Sequence, residues 1–296
     1  MIHKSVTLYG VDHSPWVQGV WYALSFTGYK VKLTSIPPSL NWVLENGITF
    51  PVLKLSSTHI IKDSFTIYKF LSKHNSQVYF PDDYFRHQMR LEKLFLNYSI
   101  LRAPSKKNLK FFGAWLGMRE RPYTLNGSIF RSFLFFYYFL LIKLGRLFYF
   151  RKYSSDAPYQ NITQELRHWD NLLESNKYIT GEKLSFVDFA LFGHIECMAS
   201  GPTDELLHNI RKNQNLLRWI EDMIKNNPNY GPLFSKRLFY DNHAPHKSLH
   251  DQFLFLFGCV IFLLFLPISI SGVIILLLIR KKGNHFSGAK VINPKD

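Results

Sequence analysis

The chain has 296 residues, of which 47% are hydrophobic and 17% aromatic, and it carries a formal net charge of +15. A composition this apolar excludes a disordered chain, and the length allows one large domain or two modest ones. Its only cysteines, Cys197 and Cys259, exclude both a disulfide framework and a zinc site built on several cysteines.

Strand and helix patterns alternate over the first 75 residues. Residues 4–9 alternate like a strand, and Ser14-Pro15 begins a helix whose apolar residues recur at helical spacing until Gly28. Three further strand patterns and a second helix follow, over 29–36, 48–55, 58–61 and 63–74. This order predicts a small mixed sheet with helices packed on it, of thioredoxin type.

From residue 83 onward the folded part has a helical pattern, with Gly and Pro only at the joints. The predicted helices cover 85–101, 129–150, 160–176, 185–199 and 205–225. The sequence therefore predicts an α/β domain over residues 1–78, followed by an all-helical domain over residues 83–240.

Residues 101–152, the basic aromatic segment, contain eleven Lys or Arg, one acidic residue and 14 aromatic residues. Basic residues interleaved with aromatic ones are typical of nucleic-acid or membrane contact. Within the segment, residues 132–142 are uncharged but too short to cross a bilayer. We predict that they lie in the interface of an anionic membrane, and a buried helix is the alternative.

Residues 253–279 carry no charge and are followed directly by Arg280, Lys281 and Lys282. As a helix they would extend about 40 Å, which exceeds the roughly 30 Å hydrocarbon core of a bilayer. We predict a transmembrane anchor here, with a juxtamembrane linker over 241–252 and a basic tail over 280–296. Pro267 and Gly272 leave open a helical hairpin, but a broken helix in lipid leaves backbone groups unpaired, which favours a single span.

The first ten residues, MIHKSVTLYG, contain no apolar stretch long enough for a signal peptide. We therefore expect the folded domains to lie on the cytosolic side of the membrane. The anchor favours membrane lipids over nucleic acid as the partner of the basic aromatic segment. Three histidines near the anchor, His243, His246 and His250, lack a carboxylate at ligand spacing, so we expect no metal site.

Four motifs between roughly Val6 and Phe239 resemble those of the cytosolic glutathione transferases. The first is LYGVDHSPWV at 8–17, which is like the serine-type start of tau and theta class members. The second is Phe50-Pro51-Val52-Leu53, which is like V-P-V-L, and the third is Lys62-Asp63-Ser64, which stands in the place of the Glu/Gln-Ser pair. The fourth is Ser185-x-x-Asp188, which is like the helix capping box. The resemblance implies a thioredoxin-like first domain and an all-α second domain. Members of the family are commonly dimers, which implies a homodimer here.

The resemblance also implies that the first domain binds glutathione, as a co-substrate and not as a bound cofactor. In that case the Ser14 hydroxyl donates a hydrogen bond to the glutathione sulfur and stabilises the thiolate, with Tyr9 as the alternative donor. A different interpretation is that Ser14 only caps the helix that it begins. Ser185 and Asp188 would be a structural capping box.

The other glutathione contacts follow from the same resemblance. Pro51, which is cis in the family, would let Val52 pair in a strand-like way with the cysteinyl part of the tripeptide. Asp63 would meet the γ-glutamyl ammonium and Ser64 the γ-glutamyl carboxylate. Asp63 is one methylene shorter than the usual Glu, and Gln18 stands where serine-type members often carry a basic residue. These two departures count against activity.

Together these features predict a membrane-anchored, glutathione-transferase-like enzyme. It would conjugate lipophilic electrophiles, or reduce lipid peroxides, that reach it from the bilayer. The alternative is a non-catalytic adaptor of the same fold held on a membrane, similar to metaxin-like import components or to tail-anchored transferase-like proteins of organelle outer membranes.

Overall fold

The computed structural model of the chain describes residues 5–10, 14–34, 51–56, 59–76, 78–101, 157–200, 204–231, 234–239 and 249–275, the last range without 269–270 and 273–274. Three predicted features therefore lie wholly or partly outside the described residues: the basic aromatic segment beyond residue 101 with its helix over 129–150, the first eight residues (241–248) of the linker over 241–252, and the basic tail over 280–296.

The first domain is built on a four-stranded mixed sheet in the order β2-β1-β3-β4. Its elements in chain order are β1 (Ser5–Tyr9), α1 (Pro15–Phe26), β2 (Lys30–Thr34), β3 (Val52–Lys54), β4 (Ile60–Lys62) and α2 (Ser64–His74). β1 and β2 are parallel, whereas β3 pairs antiparallel with both β1 and β4. The predicted small mixed sheet with packed helices is confirmed, with shorter strands than the sequence pattern indicated.

The sheet is held to its helices by a row of buried apolar side chains. Leu8, Leu53 and Ile61 are cross-strand partners on β1, β3 and β4. All three are buried, and they belong to the same apolar core as Val20 of α1 and Ile67 of α2. Burying a Leu or Ile side chain contributes about 1.5–3 kcal/mol, so this row anchors the sheet between its helices.

The second domain consists of helices around one central helix. The elements are α3 (Tyr84–Leu101), α4 (Ala157–Leu172), α5 (Phe186–Ala199), α6 (Asp204–Arg211), α7 (Gln214–Asn226) and a 3₁₀ helix (Phe234–Leu238). Every residue of α5 is buried, whereas α4 and α7 each have an exposed polar face. The all-helical domain is confirmed, with α5 at its centre.

The prediction of one continuous helix over 205–225 is wrong. The chain breaks between α6 and α7, and Asn213 is the N-cap residue of α7. The side-chain amide of Asn213 donates to the Asn209 carbonyl of α6 at 2.8 Å, and the Asp170 carboxylate of α4 accepts from the backbone amide of Leu216 in α7 at 2.8 Å. A carboxylate from another helix thus stabilises the new N-terminus, and no local pattern reveals such a contact.

Asp188 ties the start of α5 to two other segments. Ser185 is the N-cap residue of α5, and its backbone amide and hydroxyl both donate to Asp188, at 2.9 and 2.7 Å. The Asp188 carboxylate also accepts from the Ile179 amide at 2.9 Å and from the Trp219 indole at 3.1 Å. Burial raises the pKa of this carboxyl, while these donors favour its charged form.

The two domains meet where α1 crosses α5. A Cβ atom added to Gly193 of α5 would lie 2.2 Å from the Pro15 carbonyl oxygen and 2.4 Å from the Gly19 amide nitrogen of α1. Such distances mean that the two backbones touch, which requires glycine at the crossing. Hydrogen bonds extend the junction, because the Tyr22 hydroxyl of α1 donates to the Met223 carbonyl of α7 at 2.6 Å.

The C-terminal part of the helical domain is fastened by the buried side chain of Glu196. Its carboxylate accepts from the backbone amides of Phe234, at 2.6 Å, and Ser235, at 3.2 Å. Arg237 donates back to the Ala199 carbonyl at 2.7 Å. These contacts fix the 3₁₀ helix against the end of α5.

After this point the described chain continues in α8 (Leu249–Leu264). Within the part of the chain that the structure describes, no helix combines the length and the apolarity needed to cross a membrane.

We expect Gly193→Ala to destabilise the chain by about 3 kcal/mol, because the new methyl group overlaps backbone atoms that cannot move aside. Urea denaturation of the full chain in detergent measures the effect. The matched control is Gly28→Ala, which is strained by its φ of 85° but meets nothing within 4 Å, and should cost only about 1–2 kcal/mol. Equal costs would contradict a tight crossing of α1 and α5.

Candidate functional site

The strand register brings three predicted site segments to one end of the sheet. Tyr9, Val52 and Lys62 are cross-strand partners, at the end of β1, the start of β3 and the end of β4. Pro51 and Asp63 therefore lie beside each other, and the Asp63 amide donates to the Pro51 carbonyl at 3.1 Å. Residues that are 54 positions apart along the chain, Tyr9 and Asp63, thus share this sheet end.

Two helices begin at the same end of the sheet. α2 follows β4 directly, starting at Ser64. α1 connects the parallel strands β1 and β2, so it must begin near the end of β1 and run back to the start of β2. Helix N-termini present unpaired amide groups and partial positive charge, so this sheet end is suited to anionic groups.

Ser14 is the N-cap residue of α1 and is partly exposed. Its carbonyl accepts the first helical hydrogen bond, from the Gln18 amide at 2.9 Å, but its side chain makes no capping hydrogen bond. Ser14 thus occupies the cap position, as the capping interpretation expects, but without a capping hydrogen bond from its side chain. The hydroxyl is left to donate to another group at the helix N-terminus.

Tyr9, the alternative donor, lies in β1 with only 6% of its surface exposed. Burial raises the pKa of its phenol, because the charged form loses hydration. A buried phenol in the sheet is less suited to contact a solvent-borne ligand than a partly exposed serine. The position of the two side chains favours Ser14.

Pro51 and Val52 are both buried, and Val52 lies inside the sheet. It has a partner strand on each side, since it pairs with Tyr9 of β1 and with Lys62 of β4. Strand-like pairing with an added peptide needs a free strand edge, which Val52 does not have among the described strands. The pairing of Val52 with the tripeptide stays a prediction, and its two strand partners count against it.

Asp63 and Ser64 have different positions at the start of α2: Asp63 is its N-cap residue, and Ser64 is its first helical residue. Asp63 has a φ of 61°, and its carboxylate accepts from the amide and the hydroxyl of Thr66, at 2.8 and 2.9 Å. It therefore acts as the helix cap, and a ligand ammonium would have to share its oxygens. Ser64 is 8% exposed at the first helical position, where its amide is one of the unpaired N-terminal donors.

An aromatic wall, formed by Trp16 and Phe95, joins the first turn of α1 to α3. The Trp16 ring lies 4.6 Å from the Phe95 ring and 5.6 Å from the His194 ring, centroid to centroid. Trp16 and Phe95 are only half-buried. An aromatic residue directly after Ser14-Pro15 is a visible signal in the sequence, whereas no local pattern indicates its contact with Phe95 of α3.

Gln18 and Gly19 serve the domain junction and not the candidate site. Gln18 is fully buried and accepts a hydrogen bond from the Tyr230 hydroxyl. A Cβ on Gly19 would lie 2.5 Å from the Tyr68 hydroxyl and 2.7 Å from the Phe189 carbonyl. A basic side chain at either position would have to be buried in this contact, which explains why neither position carries one.

Among the described residues, no group of three His, Cys, Asp or Glu side chains is placed to hold a metal ion.

Comparison with known proteins gives one family match. Residues 162–223 match the family described as glutathione S-transferase, C-terminal domain. The match begins in α4, ends in α7 and includes both Ser185 and Asp188. It supports the glutathione transferase resemblance for the helical domain. A comparison with curated proteins found no sequence match.

Solved structures that resemble the chain include three insect proteins. A delta-class glutathione transferase from Nilaparvata lugens is 14% identical, with a TM-score of 0.42, over 86% of this chain and 99% of that one. An epsilon-class glutathione S-transferase from the housefly Musca domestica is 17% identical, with a TM-score of 0.43, over 81% and 99%. A glutathione transferase homologue from Drosophila mojavensis, with bound glutathione, is 19% identical, with a TM-score of 0.44, over 79% and 96%.

We expect the chain to lose stability as the pH falls from about 6.5 to about 4, in part because of His194. Burial lowers the pKa of His194 from 6.5 to about 4. The unfolded chain therefore takes up this proton first as the pH falls, which costs the folded state up to roughly 3 kcal/mol. Urea denaturation at a series of pH values should show a shallower pH dependence for His194→Gln.

The matched control for this prediction is His74→Gln. Like His194, His74 contacts the carbonyl four residues earlier in its helix, with 2.7 Å between its Nδ1 atom and the Phe70 oxygen, but its ring is exposed. The control should keep the pH dependence of the unmodified chain. If His194→Gln also kept it, the ring of His194 would not be buried and neutral.

Proposed function

We propose that the chain is a membrane-anchored, glutathione-transferase-like protein that binds glutathione at the sheet end described above. The observation that carries the proposal is the convergence there of Ser14, whose hydroxyl is not used in capping, with the start of α2 at Ser64. The family match of the helical domain to glutathione S-transferases is a second, independent support.

The chemistry that this site would perform begins with the glutathione thiol. A free thiol has a pKa near 8.5, so most of it is protonated at neutral pH. A hydrogen bond from the Ser14 hydroxyl and the positive end of α1 would favour the thiolate and release the proton to solvent. The thiolate sulfur then forms a bond to an electrophilic carbon, and the leaving group departs with its electron pair.

The charged end of the tripeptide would be held at the start of α2. The Ser64 hydroxyl and the first amides of the helix offer donors to the γ-glutamyl carboxylate. Asp63 would contact the γ-glutamyl ammonium with the lone pairs that Thr66 leaves unused. Through these contacts the first domain would bind and orient the tripeptide, while Ser14 would act on its sulfur.

The aromatic wall of Trp16 and Phe95 supports a lipophilic second substrate. Both rings are half-buried, and Trp16 is two residues from Ser14. Flat apolar rings next to the thiolate would exclude water and favour apolar electrophiles over charged ones. A substrate of this kind would partition into a membrane, which agrees with an anchored enzyme.

Calorimetric titration of glutathione into the full chain in detergent tests the proposed roles of Ser64 and Ser14. We expect Ser64→Ala to weaken binding about tenfold, because a donor to the carboxylate is lost. Ser14→Ala should retain binding but raise the pKa of the bound thiol toward 8.5. Ultraviolet absorbance of the thiolate against pH measures that shift.

Ser72→Ala is the matched control, since the Ser72 hydroxyl donates within α2, to the Lys69 carbonyl at 2.9 Å. It should leave both binding and thiol pKa unchanged. The absence of glutathione binding by the unmodified chain at millimolar concentration would overturn the proposal.

A non-catalytic adaptor of the same fold is the second candidate function. Two observations favour it: Asp63 already serves as the cap of α2, and Val52 has no free strand edge for a bound peptide. An adaptor would bind no glutathione, so the titration above separates the two candidates.

The membrane anchor is a further part of the proposal. The 27 residues from 253 to 279 carry no charge. The described part of this segment exposes large apolar side chains, among them Phe253, with 66% of its surface exposed, and Leu264, with 74%. Exposed apolar surface of this extent needs a partner, and lipid is the partner that an uncharged segment of this length fits. The folded domains would then lie on the cytosolic side.

We expect Leu263→Arg to release the chain from membranes extracted at alkaline pH, because an Arg near the centre of a span costs about 2.5–3.5 kcal/mol. The matched control is Leu249→Arg, at an exposed Leu of α8 that precedes the uncharged segment. It should remain in the membrane pellet. Retention of both variants would contradict an anchor over 253–279.

A further inference from the structure

A second cleft lies in the helical domain, away from the residues of the candidate site. It has a volume of about 310 Å³ and lies between the first half of α3, the end of α4 and the turn at 179–180. The polar residues that line it include Asp83, Arg86, His87, Arg90, His168 and Thr180. Its size is at the lower end of small-molecule sites.

The acidic groups at this cleft already accept hydrogen bonds from basic side chains. Glu165, buried beneath the cleft, accepts from Arg90 at 3.1 Å and from Lys93 at 2.9 Å. The Asp83 carboxylate accepts from the His87 ring, with 3.1 Å between Oδ2 and Nε2. Arg86 has no ion pair among the residues that the structure describes, so positive charge is left in excess.

One ring nitrogen in the wall of the cleft has no partner. The His87 side chain is 12% exposed, and its Nδ1 atom is buried without a hydrogen bond in the described structure. A buried ring nitrogen without a partner costs free energy. Protonation of the ring makes this nitrogen a donor, and an anion that accepts from it would recover that cost.

A bound anion would raise the pKa values of both histidines in the cleft, His87 and His168. Burial lowers the pKa of His87 and of His168, and the positive charges of Arg86 and Arg90 lower both pKa values further. The carboxylates act in the opposite direction: Asp83 raises the pKa of His87, and Glu165 raises that of His168. An anion between these groups would offset the arginine charges and favour the protonated rings. Binding would therefore take up protons and strengthen as the pH falls.

We propose that this cleft binds a phosphate group. A phosphate offers several strong acceptor oxygens, which match the guanidinium groups of Arg86 and Arg90 and the ring N–H groups of His87 and His168. The start of α3 adds partial positive charge to the same cleft. The volume admits a phosphate with a small organic group attached, so the group belongs either to a soluble molecule or to a lipid headgroup.

The experiment titrates inorganic phosphate into the full chain in neutral detergent and follows it by calorimetry at pH about 6 and about 8. We expect phosphate to bind more tightly at the lower pH, with proton uptake shown by a heat that depends on the buffer. Arg86→Gln should weaken binding about tenfold. This variant does not break the Glu165 contacts, which Arg90 and Lys93 provide.

Arg167→Gln is the matched control, because Arg167 is exposed on α4 next to His168 but does not line the cleft. It should change the affinity less than twofold, as expected for a screened surface charge. No binding by the unmodified chain at millimolar phosphate, or equal losses in Arg86→Gln and Arg167→Gln, would overturn the proposal. Glutathione binding is measured separately, so it does not bear on this outcome.

A second arm distinguishes the two sources of the phosphate. The chain is placed in nanodiscs of neutral lipid with or without phosphatidic acid, and the phosphate titration is repeated. Phosphatidic acid in the nanodisc would compete with inorganic phosphate if the cleft takes a lipid headgroup. In that case it weakens phosphate binding by the unmodified chain and leaves the residual phosphate binding of Arg86→Gln unchanged. If it has no effect in either chain, the cleft takes a soluble phosphate.

Discussion

The contact on which the rest of the structure depends is the crossing of α1 and α5 at Gly19 and Gly193. The two backbones touch there, since a single methyl group on Gly193 would overlap the Pro15 carbonyl. α1 belongs to the sheet domain and α5 is the buried centre of the helical domain, so one close contact fixes the position of each domain relative to the other. The helix that makes this contact is also the one that begins at Ser14, so the domain junction and the candidate site share a single element.

Buried polar groups hold this arrangement in one conformation. Asp188 collects hydrogen bonds from the turn before α5 and from Trp219 of α7, and Glu196 holds the 3₁₀ helix at the other end of α5. Both carboxylates are fully buried, and both are satisfied by several donors. A buried carboxylate without such partners would be strongly unfavourable, so these networks disfavour other packings of the same helices.

The chain combines three surfaces of different chemistry. The sheet end with Ser14 and Ser64 is suited to a thiolate and a carboxylate, the cleft around Arg86 and His87 to a phosphate group, and the uncharged segment over 253–279 to lipid. An enzyme with these three surfaces would take its polar co-substrate from the cytosol and its apolar substrate from the bilayer. An adaptor of the same fold would retain the cleft and the anchor and lose only the first of these chemistries, which is why glutathione binding separates the two.

The order of the described elements can be read from the sequence alone, because alternating and helical periodicities are local properties of the chain. The sequence also shows Ser14 and Ser64 at helix starts and Ser185 before α5, since capping residues occupy fixed positions relative to the first turn. Other features depend on contacts between distant parts of the chain. Asp170 of α4 caps α7 and so ends the helix that periodicity alone would continue, Val52 has lost its free edge to β4, and Gly19 touches a helix from the other domain. Each of these depends on a partner distant along the chain, and the periodicity of one segment carries no information about which distant residue it will meet.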